Sequence, residues 1–198
     1  MNPLSLMIHV RCITTAPALL AAIVFSGCSE TVVAADDQPP TVGDAAPKIE
    51  LKSYDAGTVK LDEALQKGPV VVIVLRGNPG YQCPLCTRQV GQFMAAAKDF
   101  SAAKATVVMV YPGPQAKLDE KAREFLKDTK LPDGFHLLID PDYTFTNAWH
   151  LRWDAAKETA YPSTFVVDKA GRIRFAKISK THGDRAPVAD VIKALKDF

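Results

Sequence analysis

Residues 76–89 read RGNPGYQCPLCTRQ and follow directly on the run VVVIVLR of residues 70–76. A run so continuously apolar and β-branched predicts a central strand covered on both faces. The loop GNPGYQ then turns the chain, and Pro84 suits the first position of a helix, because it has no N–H to leave unpaired and already holds a helical φ. Cys83 is thereby expected at the helix N-cap. Unpaired N–H groups and the positive end of the helix dipole face that position and favour thiolate over thiol. Cys86, three residues on, falls one turn away on nearly the same face, within bridging reach of Cys83.

Outward from this stretch, apolar runs alternate with helical patterns. A helix is expected over 84–100, followed by the strand ATVVMVY (105–111), which makes a β-α-β unit. A helix over 115–130, the strand HLLID (136–140) and a short helix around 144–151 come next. The strands STFVVD (163–168) and RIRFAKI (172–178) are joined by Lys169-Ala170-Gly171, whose glycine suits a hairpin turn. The helix APVADVIKALKDF (186–198) follows. This order predicts an α/β fold with a central mixed sheet flanked by helices, in which a C-terminal antiparallel hairpin precedes the final helix. The hairpin separates it from an all-parallel doubly wound sheet.

The chain has 198 residues, 47% of them hydrophobic, and a formal charge of +2, enough for one domain with a real core. Charge is nearly balanced and aromatics do not interleave with bases, so the signature of a nucleic-acid binder is missing. Residues 1–28 carry one base, Arg11, then an uncharged apolar stretch ending in small residues, a secretory pattern. Its end, Val24-Phe25-Ser26-Gly27-Cys28, resembles a bacterial lipobox, in which the cysteine is lipidated and becomes the mature N-terminus. Cleavage after Val33-Ala34-Ala35 and retention as an uncleaved anchor are the rival readings. All three put the domain outside the cytoplasm, with any membrane contact made through this N-terminal segment. Residues 29–42 read as a polar, Pro-containing tether and residues 43–198 as one domain.

Cys12 would leave with the signal and Cys28 would carry lipid, so Cys83 and Cys86 are the thiols of the domain. A bridge across two intervening residues closes too small a loop to staple a fold, and chemistry explains it better than stability. Two buried structural thiols are the bland alternative. A metal or copper-delivery site is another, but a tetrahedral site needs four ligands and His136, His150 and His182 are scattered along the chain. No cofactor or resident metal is expected.

VGDAAPKIEL (42–51), the strand with its CPLC helix, and YPSTFVVDKAGRIRF (161–175) together resemble the thioredoxin-fold branch of alkyl hydroperoxide reductase and thiol-specific antioxidant, or peroxiredoxin-like, proteins. The resemblance implies that Tyr161-Pro162 holds the family's cis-proline, packing beside the dithiol and presenting backbone to an extended substrate. The stretch also resembles the peroxiredoxin motif, with Pro79 in place, Cys83 at its threonine and Cys86 at its peroxidatic cysteine. The motif's arginine has no clear counterpart: Arg76 stands just before the loop, and Pro162 occupies the region where peroxiredoxins often carry theirs. Two reactions follow. The favoured one is thiol-disulfide exchange, with Cys83 as the exposed attacker, Cys86 as resolver, and Arg76, Pro84, Tyr161 and Pro162 shaping the site. The alternative is a thiol peroxidase in which Cys86 is oxidised and Cys83 condenses with it. Either needs a disulfide or peroxide substrate and a redox partner that the sequence does not name.

Overall fold

The computed structural model describes residues 37–55, 57–127 and 129–198. The signal-like segment, Cys28 and the first part of the tether lie outside the described residues. The described residues fall in a single compact unit, Asp36–Phe198. Among them, no helix is long and apolar enough to cross a membrane.

The elements run β1 (Glu50–Ser53), β2 (Thr58–Lys60), α1 (Leu61–Lys67), β3 (Val70–Val74), α2 (Pro84–Ala95), α3 (Ala97–Ala102), β4 (Thr106–Gly113), α4 (Leu118–Leu126), β5 (Phe135–Pro141), α5 (Thr144–Ala148), β6 (Ser163–Val167), β7 (Ile173–Ile178) and α6 (Val188–Lys196). The strands form one mixed sheet in the order β2-β1-β5-β4-β3-β6-β7. β3 runs parallel to β4, and β4 to β5, while β6 and β7 add an antiparallel hairpin beside β3. This is the thioredoxin-like arrangement, with the hairpin and a final helix closing one side.

β3 shows why the sheet sits where it does. All five of its residues are fully buried, and period-two alternation divides them between two cores. Val71 and Ile73 pack with α2, α3, α4 and α6 through Val90, Phe93, Phe100, Phe125 and Leu195. Val70, Val72 and Val74 pack with α1 and α5 through Leu61, Phe145 and Trp149. Burial of each such side chain contributes about 1.5–3 kcal/mol.

The helix expected over 84–100 is broken at Ala96, which ends α2 before α3 begins. Packing accounts for the break. Phe93 and Phe100 stack with centroids 5.6 Å apart, whereas seven residues of unbroken helix would separate them by roughly 10 Å along the axis. The helix expected over 115–130 is shorter, Leu118–Leu126, and α1, β1 and β2 add elements not expected from the sequence pattern.

The loop after β3 is pressed against the end of β4. Asn78 N–H donates to Pro112 O at 3.0 Å, and Gly77 adopts φ +70°, with space for a Cβ only 1.9 Å from the same oxygen. Gly77→Ala therefore combines a backbone clash with left-handed strain and is expected to destabilise the fold by more than about 3 kcal/mol. Urea denaturation checks this, and an unchanged midpoint would mean that the loop can lift from β4.

Candidate active site

The turn from β3 into α2 delivers both sulfurs. Cys83 is the N-cap of α2 with extended dihedrals, and Pro84 occupies the first helical turn. Both cysteines are free thiols here, with relative exposures of 3% for Cys83 and 0% for Cys86. The attacker expected to be exposed is thus nearly covered, because the sulfurs lie in the core between β3 and α2.

The two sulfurs divide the charge unequally. Cys83 is pulled down from 9.0 to about 5, first by its hydrogen bond with the Cys86 thiol, against the cost of burial. The amides of Cys86 and Leu85 and the charge of Arg185 reinforce this, although no short capping bond forms at the sulfur. Cys86 is pushed up, first by that same bond and then by burial, with Arg185 and the Arg76 backbone N–H opposing. The thiolate rests on Cys83 and the shared proton on Cys86.

Arg185 comes from the loop between β7 and α6. Its Nη2 lies 3.5 Å from Cys86 Sγ and 3.9 Å from Cys83 Sγ. Nη1 donates to Gln89 Oε1 at 2.5 Å and Nε to His182 O at 2.9 Å. Gln89, one turn beyond Cys86, also donates to Thr164 Oγ1 on β6 at 3.4 Å. The guanidinium is therefore held through Nε and Nη1, with Nη2 turned to the sulfurs.

Arg76 does not supply that guanidinium. Its side chain turns to Glu158, with Nε donating to Oε2 at 2.8 Å, and to Lys157 O and Tyr81 OH. Burial disfavours its charge, but the bonds to Glu158 and Tyr81 outweigh this and raise its pKa. Glu158 is lowered despite burial by Arg76 and His182, and His182 Nε2 lies 3.0 Å from Glu158 Oε1. His182, scattered in sequence from the cysteines, thus belongs to the same network. Below the loop, Tyr111 OH donates to Gln82 Oε1 at 2.8 Å, and burial pushes it up to about 12.

Tyr161 and Pro162 directly precede β6, and their backbone is already engaged. Tyr161 N–H donates to Leu151 O at 2.9 Å, Tyr161 O accepts from Ser163 Oγ at 2.8 Å, and Pro162 O accepts from Ser179 N at 2.9 Å. The Tyr161 ring stacks on Trp153 at 4.7 Å. The amide that would pair with an extended substrate is committed to the protein itself.

Sequence reasoning placed Cys83, Cys86, Pro84 and Arg76 around one loop, and the structure brings them together there. It missed Arg185, Gln89, Glu158 and Tyr111. For Gln89 a signal exists in its spacing, three residues after Cys86 on the helix. For Arg185 and Glu158, single charged residues in polar loops, none does.

Comparisons with known proteins are concordant. The AhpC/TSA family matches residues 42–176. Peroxiredoxin Bcp of Bacillus subtilis strain 168 is 32% identical over 166 residues, covering 79% of this chain and 96% of its own. Among solved structures, peroxidoxin BcpB from Mycobacterium tuberculosis superposes with a TM-score of 0.63 at 22% identity, over 80% of this chain and 97% of that one. A peroxiredoxin-like protein from Aquifex aeolicus gives 0.62 at 16% identity, over 80% and 88%. At those identities the structures speak for the fold.

Proposed function

The chain belongs to the AhpC/TSA family and is an oxidoreductase acting through thiols; from that premise we propose that it is a dithiol peroxidase, reducing hydroperoxides with Cys83 and Cys86. The observation that carries the reading is the Arg185 guanidinium set against both sulfurs at the N-terminus of α2. The Cys83 thiolate attacks the terminal oxygen of the hydroperoxide, an S–O bond forms as the O–O bond breaks, and the leaving alkoxide or hydroxide takes a proton. Arg185 stabilises the charge that develops on the leaving oxygen. Cys86 then attacks the sulfenic sulfur, forming the disulfide as water leaves. The Cys86 thiol proton completes that water, and solvent supplies the proton taken up by the alkoxide or hydroxide. A dithiol protein of thioredoxin type, or another thiol, returns the pair to the reduced state by exchange.

This reverses the order in which the sequence ranks the two reactions. A small peroxide needs no groove, and the committed Tyr161 amide favours it over an extended protein disulfide. It also assigns attack to Cys83, although the family motif aligns its peroxidatic cysteine with Cys86, because Cys83 stands at the N-cap of α2, where the helix amides and dipole favour the thiolate. The apolar, lipobox-like segment ending at Cys28 supports an extracytoplasmic site for this chemistry.

The test is a stopped-flow reaction of the reduced protein with hydrogen peroxide and an organic hydroperoxide. One disulfide should form per peroxide consumed. The rate should be level above about pH 6 and fall with acid through about pH 5, where Cys83 takes up its proton. Peroxide rates no faster than those of free cysteine, together with rapid reduction of a protein disulfide, would restore the exchange reading.

A further inference from the structure

We propose that Glu158 is the positioning residue of the dithiol, an inference that rests on the dithiol being the reacting centre. Two residues reach the sulfurs from separate loops. Arg76 faces Cys86 with its backbone N–H, and Arg185 faces both sulfurs with its guanidinium. Both are anchored by one carboxylate. Glu158 grips the Arg76 side chain at 2.8 and 3.1 Å. It also lies 3.0 and 3.1 Å from His182 Nε2, and the His182 carbonyl receives Arg185 Nε at 2.9 Å. The Arg76 and Glu158 side chains are only 4% and 12% exposed, so this bond is little weakened by solvent.

Glu158 thus joins the segment that starts the dithiol loop to the segment that carries the guanidinium, and touches neither sulfur itself. The charged and titratable groups that do face the sulfurs are Arg185 and, from β4, Tyr111. This makes the sign of its effect diagnostic. Removing a nearby negative charge by itself eases ionisation of a thiol, because one anion fewer opposes the thiolate. Releasing Arg185 from its place hinders ionisation. A residue that merely stabilised the fold would move neither.

The experiment titrates the Cys83 thiolate in the reduced full chain, by ultraviolet thiolate absorbance and by the pH dependence of alkylation with iodoacetamide. Glu158→Gln should raise the midpoint by about one unit, leaving about tenfold less thiolate below it, and Glu158→Asp should return part of the shift. His182→Ala cuts only the arm to Arg185 and leaves the Arg76 pair intact. It should raise the midpoint too, and it carries the test if Glu158→Gln does not fold. A midpoint unchanged or lowered in folded variants overturns the proposal. Because no peroxide is used, a wild-type protein inactive toward peroxides would defeat the peroxidase reading and leave this one standing.

Discussion

Cys83→Ser should abolish peroxide consumption, by at least about three orders of magnitude, because an alcohol replaces the one sulfur that is ionised near neutrality. Cys86→Ser should behave differently. Serine keeps a hydroxyl that can donate to the Cys83 thiolate, so the first attack survives at a rate near that of the wild type. The resulting sulfenic acid has no resolving thiol and accumulates, where dimedone labels it at Cys83. Turnover with a thiol reductant falls sharply while the single-turnover burst remains. Fast peroxide consumption that survives Cys83→Ser and vanishes in Cys86→Ser would reverse the two roles and restore the family register of the motif.

Arg185→Ala carries the second large effect. The guanidinium reaches both sulfurs through Nη2 and donates to Gln89 through Nη1, so its loss removes a charged donor aimed at the reacting atoms, worth about 10²- to 10³-fold in rate. It also removes one of the influences that hold Cys83 below its ordinary pKa, so the acid limb of the pH–rate profile should move upward. Arg185→Lys should recover little, because an ammonium cannot span His182 O, Gln89 and two sulfurs at once. A full rate in Arg185→Ala would mean that the helix terminus alone activates Cys83.

What could be read from the sequence was what is encoded locally. β3, the N-cap at Cys83 and the β6–β7 hairpin each rest on a run, a proline or a glycine within a few residues, and each falls close to its expected place. β2 is three residues long and α1 seven, too short for a periodicity to declare itself. The break at Ala96 depends on a ring stack that no helical pattern records. The site divides along the same line. Its cysteines share one turn of helix, whereas Arg76 meets Glu158 across 82 residues and Arg185 meets Cys83 across 102. Those pairings are made by the topology of the sheet, which brings the loops following α5 and β7 to the end of β3.

That separation orders events while the protein is being made. Arg185 is translated 99 residues after Cys86, an interval of roughly 5 to 20 seconds at usual elongation rates. For most of it the strand β6 that will pair with β3 is not yet made, and to its end the sulfurs of α2 have no guanidinium beside them. The nascent chain's dithiol therefore lacks the charge with which Arg185 helps to lower Cys83. The guanidinium reaches the sulfurs only when one of the last loops of the chain has been made.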